Sequence, residues 1–297
     1  MKAGRKLLAV ILALAVGALA VGCGSSSQNK ELKLGYIGWD ESIAIATLTK
    51  VLLEDELNYD EVRLEQTDSV RYLFQGVSTG DMDAFQDVWL PQQKAYLGEV
   101  EDQVEQLDSW YRGTTRYSIA TPSYMGITSI DQLNDTDVDL IFGIEQDVDI
   151  MEAIPDSVIP EYGLEQKLVQ SSTQGMLAEV EIRYRNQEEF AFVAWSPHWM
   201  NQRYDFDYLD DPEGALGDLT QSAEILTIVN EDLPEDDPVA YAFMEALTLD
   251  EEQLNDLEST INEAGDPHEG ARRWAEDNRE VWEPWVEAAW DAQEKEE

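Results

Sequence analysis

Cysteine and histidine are almost missing from this chain of 297 residues: Cys23 stands alone, and His198 and His268 are the two histidines. A single cysteine excludes an internal disulfide, so hydrophobic cores must carry the stability. With so few soft ligands, a zinc centre of the usual Cys and His composition is excluded as well. Basic residues are the next shortage, with 19 Lys plus Arg against 63 Asp plus Glu. Residues 1–22 hold Lys2, Arg5 and Lys6 and no acid, so residues 23–297 keep 16 basic groups against all 63 acids. With no basic patch to neutralise phosphates, nucleic acid is excluded as a partner. A long apolar run is also missing, because Leu7–Val21 is too short, and wrongly flanked, for a stable membrane span. Neither a P-loop nor a Gly-x-Ser-x-Gly elbow occurs.

The features that are present begin with that short run. A basic start, an apolar stretch and the closing Ala20-Val21-Gly22-Cys23 read as a secretory signal over 1–22 ending in a lipoprotein-type cleavage box. The alternatives are an ordinary signal peptide or an anchor with an incidental cysteine. The box predicts acyl chains on Cys23, a polar tether over 23–30, and a folded part from Glu31 that works outside the cytoplasm, held to the cell membrane. Acids in such excess usually indicate disorder, but aromatic and aliphatic residues here are plentiful and periodic, so a packed globule is expected. Its surface carboxylates then need screening by concentrated salt, and the six lysines left after Gly22 fit a surface suited to brine.

The 275 residues after Gly22 suffice for one large or two moderate domains. Strand and helix signals alternate: strands at Leu32–Ile37, Val62–Gln66 and Ala84–Val88, with helices at Ser42–Leu57 and Ser69–Thr79. Further strands are expected at Tyr117–Thr121, Asp139–Ile144, Lys167–Val169, Phe190–Ala194 and Ile225–Val229. Helices are expected at Ser129–Leu133, Ile150–Ile154, Thr173–Arg185, Pro238–Ala246, Asp250–Asn262 and, unbroken, Pro267–Ala292. Two βα blocks with a helical tail imply an α/β protein of two lobes, residues 31–116 with 225–297 and residues 117–224, crossing near Tyr117 and Glu224.

Three tryptophans, Trp39, Trp89 and Trp195, stand directly after predicted strands. Ligands of open parallel sheets bind at the carboxyl ends of strands, so all three are candidates for one cleft. An indole in that position ordinarily plugs the core, but three in the same topological place could form an aromatic box. Such a box suits a quaternary ammonium, which has no N–H to donate and is held by the negative faces of rings.

The segments Gly35-Tyr36-Ile37-Gly38-Trp39-Asp40-Glu41, Asp83 to Pro91, Gly143-Ile144-Glu145 with Ile150-Met151, and Trp195-Ser196-Pro197-His198-Trp199-Met200 resemble substrate-binding proteins of ABC importers for glycine betaine, proline betaine and choline. Tyr204 to Pro212 adds to the likeness, which covers roughly residues 33–290. The resemblance implies a type II periplasmic-binding-protein clamshell with two hinge crossovers, no catalysis, no cofactor and no metal, and an ABC permease as membrane partner. It implies that Trp39, Trp89 and Trp195 form the ammonium cage, with Tyr117 as a candidate fourth ring. It places the ligand carboxylate at the backbone N–H groups of Asp149 and Ile150. Betaine-specific relatives have glycines in that loop and a histidine soon after Trp-Leu-Pro; this chain has Gln146, Asp147, Val148 and Asp149, and Lys94 for the histidine. The extra acids argue for choline, whereas a cation at Lys94 pairs with a betaine carboxylate.

Glycine betaine is therefore the first ligand expected, with choline, carnitine and proline betaine as alternatives. A rival class is a glycoside hydrolase using Asp40 and Asp87 as its carboxylate pair; a blander one is a surface protein with no ligand. His198 reads as a packing or hydrogen-bonding residue and His268 as part of a helix entry. Asp205, Asp207, Asp210 and Asp211 lack the glycine and closing glutamate of a calcium loop and read as a solvated acidic stretch. Trp274, Trp282, Trp285 and Trp290 read as one apolar stripe docking the last helix.

Overall fold

The computed structural model describes residues 30–296. The predicted leader, Cys23 and the tether up to Asn29 lie outside the described residues. Among the described residues no helix is long and apolar enough to cross a membrane.

The chain starts with β1 (Glu31–Tyr36), α1 (Asp40–Glu56), β2 (Glu61–Gln66), α2 (Val70–Thr79), β3 (Ala84–Leu90), α3 (Lys94–Val100) and β4 (Val104–Ser109). It continues with β5 (Arg116–Pro122), β6 (Leu140–Phe142), α4 (Asp149–Ala153), α5 (Ile159–Tyr162), β7 (Lys167–Val169), α6 (Thr173–Asn186), β8 (Ala191–Ser196), α7 (Met200–Arg203) and β9 (Phe206–Tyr208). Last come β10 (Glu224–Asn230), α8 (Leu233–Asp236), α9 (Pro238–Ala246), α10 (Glu251–Ala264), α11 (Pro267–Asp277) and α12 (Arg279–Glu296). The strands form two five-stranded sheets, ordered β2-β1-β3-β10-β4 and β7-β6-β8-β5-β9. The chain passes between the sheets twice, after β4 and before β10, which makes a two-lobed α/β clamshell with two crossovers.

Each sheet is parallel where helices return the chain and antiparallel where a crossover strand enters. β1 lies parallel to β2 and β3, while β10 runs antiparallel to both β3 and β4. β6 is parallel to β7 and β8, and β5 is antiparallel to β8 and β9. Central strands read as buried runs, since helices cover both faces: Ala84 to Trp89 of β3 and Ala191 to Trp195 of β8 are all buried. Local chemistry fixes the helix ends. The Ser69 hydroxyl accepts from the Tyr72 N–H to start α2, and Gly80 ends it at φ 75°, a left-handed conformation that costs glycine least.

Besides the short unforeseen helices α5, α7 and α8, the structure departs from the sequence expectation in four places. The expected helix Pro267–Ala292 is two helices, because Asn278 leaves helical geometry at φ −124° and turns its side-chain amide back to the Trp274 carbonyl at 3.0 Å. The tryptophan stripe breaks with it: Trp274, Trp282 and Trp285 are buried but Trp290 is 38% exposed. The Trp282 indole N–H donates to the Ala275 carbonyl at 2.8 Å, tying α12 to α11. Unforeseen α3 and β4 come after Trp-Leu-Pro; β4 is a polar edge strand whose order comes from pairing with β10, more than a hundred residues away. Unforeseen β9 lies in the acidic stretch, where Phe206–Tyr208 pair with Ala120–Pro122 of β5.

Candidate functional site

The three tryptophans reach one cavity from three elements. Trp39 is the N-cap of α1, while Trp89 and Trp195 are buried near the carboxyl ends of β3 and β8, each two residues before a cis proline. The first two belong to one lobe and Trp195 to the other, so the cavity lies in the cleft. Tyr117 of β5, paired with Trp195 across the strand register, adds a fourth ring. Glu41, Val70, Gln93, Tyr96, Val148 and Asp149 complete much of the wall, around roughly 470 Å³ of space that includes the open mouth. That is the size range of small-ligand sites.

Each indole edge faces an acid. The Trp39 Nε1–H donates to Glu145 Oε2 at 3.1 Å, and the Trp89 Nε1–H to Asp87 Oδ1 at 2.8 Å. Trp195 Nε1 lies against the Glu41 carboxyl and lowers its pKa, although neither group closes a hydrogen bond of ordinary geometry in the static structure. An indole whose edge is held by a carboxylate can present its electron-rich face to a ligand, the orientation that attracts a cation. Glu145 is anchored in turn by the Thr173 N–H at 2.8 Å and hydroxyl at 2.9 Å. The acids themselves are perturbed. Burial raises Glu41 well above the usual carboxylate range, and Asp87 and Glu258 push it further. Burial raises Asp87 to about 7 against the lowering effect of the Trp89 hydrogen bond and of the nearby Ser42 hydroxyl. At the opposite wall Asp149 is raised to about 6, first by burial and then by Glu152. Burial also lifts the Tyr117 hydroxyl, whose oxygen has no hydrogen-bond partner.

Polar contacts close the cleft from both sides. Besides Trp39 to Glu145, the Tyr96 hydroxyl donates to the Asp147 carbonyl at 2.6 Å and the Gln174 amide to the Gly38 carbonyl at 2.6 Å. His198, fully buried, lies 3.0 Å from Asp40 Oδ2 through Nε2 while its Nδ1 accepts from the Met200 N–H at 3.0 Å. Those partners assign the proton to Nε2, so His198 bridges the lobes as a hydrogen-bond donor.

The structure thus brings Trp39, Trp89, Trp195, Tyr117 and Asp149 to one cavity. Ile150 is buried directly behind Asp149 at the start of α4, where first-turn N–H groups lack intrahelical partners. Lys94 does not line it: it is exposed at the start of α3, in an outer groove that shares Asp149 with the cavity, and Gln93 stands on the cavity wall. The supposed hydrolase pair is not assembled either, since Asp40 is turned to His198 and Asp87 is fully buried against Trp89. In the acidic stretch Asp211 accepts from the Ala215 and Leu216 N–H groups and the Tyr162 hydroxyl, which is loop anchoring. No metal-holding group of acids and histidines occurs among the described residues. Sequence reasoning had missed Glu41, Glu145, Gln93 and Tyr96. The signal for Glu41 was its place two residues after Trp39; Glu145 lies in a segment that carries the resemblance, but its role is set by a partner 106 residues away.

Known proteins share this fold. A family model for the substrate-binding domain of the ABC-type glycine betaine transport system matches residues 30–277. The glycine betaine/carnitine transport binding protein GbuC of Listeria monocytogenes serotype 1/2a (strain 10403S) is 29% identical over 160 residues, 53% of this chain and 51% of that protein. The match thus spans about half the length of that curated relative. Lactococcal OpuAC, crystallised closed around glycine betaine, superposes with a TM-score of 0.77 at 27% identity, covering 86% of this chain and 99% of that one. ProX from Borrelia burgdorferi, a glycine betaine and L-proline binding protein, gives a TM-score of 0.77 at 25% identity, with coverages of 88% and 98%. With the family matched over most of its length and the clamshell shared with its solved members, this chain belongs to the substrate-binding domains of ABC-type glycine betaine transport systems.

Proposed function

We propose that this protein captures a quaternary-ammonium solute outside the cytoplasm and hands it to the membrane permease of an ABC importer. The observation that carries the reading is the convergence of Trp39, Trp89, Tyr117 and Trp195 on one cavity, three indole edges facing acids. No bond is made or broken. Ring faces hold the trimethylammonium, and lobe closure removes water so that the attraction strengthens. Glycine betaine is the first ligand, in keeping with the lactococcal relative; its carboxylate would meet the N–H groups of Asp149 and Ile150. Choline is the second, favoured by the Glu41 and Asp149 carboxyls on the cavity wall and by the absence of Lys94 from it. Residues 31–116 with 225–297 would move as one lobe and 117–224 as the other, with acyl chains on Cys23 holding the protein to the membrane.

The test is a calorimetric and tryptophan-fluorescence titration with glycine betaine, proline betaine, carnitine and choline at high salt. Saturable quenching by at least one of the four is expected. No response to any of them, from a folded protein, sinks the reading. Release of a Cys23→Ser variant from the membrane fraction checks the anchor separately.

A further inference from the structure

Behind the rings lies a set of acids that the cage by itself does not require. Glu41 is fully buried on the cavity wall, with both carboxyl oxygens unpartnered. Asp87, also fully buried, uses Oδ1 for Trp89 and leaves Oδ2 unpartnered. Glu258 of α10, 2% exposed, leaves both oxygens unpartnered as well. An isolated buried carboxylate is costly to ionise, and neighbouring like charges raise that cost, so such groups hold protons near neutral pH. The groups facing the pair Glu41 and Asp87 are Glu258 from α10 and Tyr117 from β5; Asp40 of α1, hydrogen-bonded across the cleft to His198, faces Glu258. None is a lysine or arginine. Tyr117 also faces Asp149 and Glu145, so its hydroxyl lies among acids from both sides. The first fixed positive charge to reach these acids would be the ligand.

We infer that Glu41 and Asp87 make the site proton-linked and so set its choice of ligand: a cation entering the cage expels a proton from the pair, and a zwitterion does so less. The inference rests on the proposed function and deepens it. A trimethylammonium against the Trp89 and Trp195 faces stabilises the ionised pair, so a proton leaves when choline binds. Betaine brings the same cation but sets its carboxylate beside Asp149, which favours the protonated form of Asp149. Proton uptake there offsets release at the pair. By linkage, the affinity for choline rises with pH and that for betaine stays flatter. With Asp87 raised to about 7 and Asp149 to about 6, the change falls around those two values. The choline to betaine ratio should therefore grow with pH.

The experiment titrates choline chloride and glycine betaine into the whole protein at molar NaCl from pH 5.5 to 8.5, by calorimetry in phosphate and in Tris. The difference in heat between buffers counts protons. Choline is expected to release a fraction of a proton near pH 7 and to gain several-fold in affinity across the range, with a ceiling of about tenfold per pH unit for one proton. Betaine is expected to release less and to change by less than choline. Asp87→Asn, which keeps an acceptor for Trp89 Nε1–H, and Glu41→Gln should both flatten the choline profile. If those variants do not fold, the proton count of the unmodified protein decides alone. Choline binding with no proton released at any pH, or equal profiles for the two solutes, overturns the inference while leaving the proposed function standing. Failure of both solutes to bind at any pH overturns the inference, and the proposed function falls with it only if carnitine and proline betaine also fail to bind.

Discussion

A tryptophan in this cleft is defined by what holds its edge as much as by where its face points. Trp39 leans on Glu145 and Trp89 on Asp87, so each ring is oriented by a buried acceptor before any ligand arrives. Replacing Trp39, Trp89 or Trp195 by Ala should weaken ammonium binding by about 1–2 kcal/mol each, and by Phe less, read by calorimetry. Wild-type affinity in two of the three Ala variants, with folding intact, argues against a shared cage. Glu145→Gln keeps an acceptor for the Trp39 indole and should cost less than Glu145→Ala, which frees the ring and strips the Thr173 contacts. Equal losses in the two variants would mean the acid acts only through its charge. Lys94, exposed in the outer groove, should matter little: Lys94→Ala is expected to change betaine and choline affinity alike, by less than about twofold. A loss confined to betaine would show that Lys94 reaches the bound carboxylate.

At the scale of elements, the helical tail is where close packing is most demanding. Gly270 of α11 lies so near α10 that an added Cβ would stand 2.5 Å from the Ile261 Cα, a backbone atom that cannot rotate away. Gly270→Ala should therefore force the two helices apart and destabilise the fold by about 1–3 kcal/mol, seen as a lower urea midpoint with an unchanged slope. An unchanged midpoint would mean that the α10 and α11 pair slides at no cost. Glu258, on the buried face of α10, links this tail to the acids behind the cage.

For the molecule as a whole, charge dominates. A chain with a formal net charge of −44 repels itself, and folding brings its carboxylates closer together. Molar salt shortens the screening distance to about 3 Å. The melting temperature should thus rise steeply from low to molar NaCl, and a flat response would refute the brine-adapted surface. With that repulsion screened, the buried acids set the pH dependence. Asp87 is raised to about 7 in the folded state, against about 3.9 in the unfolded chain. The folded state therefore holds a proton that the unfolded chain has released. Stability from this group is full below about pH 4, falls as pH climbs to about 7 and is level above. Denaturation at molar salt should show this decline, and Asp87→Asn should reduce it.

The sequence by itself determined the alternation of strand and helix, the two-lobed class and the three indoles after strands. These rest on local patterns, burial periodicity, caps and turn residues, that act over a few positions. It also determined the acidic surface, since net charge needs no fold. It could not set the break at Asn278 or the pairing of β4 with β10, which depend on partners distant in the chain. Nor could it choose between Lys94 and Gln93 at the cavity wall, because the direction of a side chain at the start of α3 is decided by how that helix packs. Tertiary structure alone decided that Glu145 holds Trp39 and that Glu41, Asp87 and Glu258 are buried close enough to act on one another. Carboxylates scattered through a chain so rich in acids look alike in sequence. Only burial, by removing water from a few of them, gives those few a chemistry of their own.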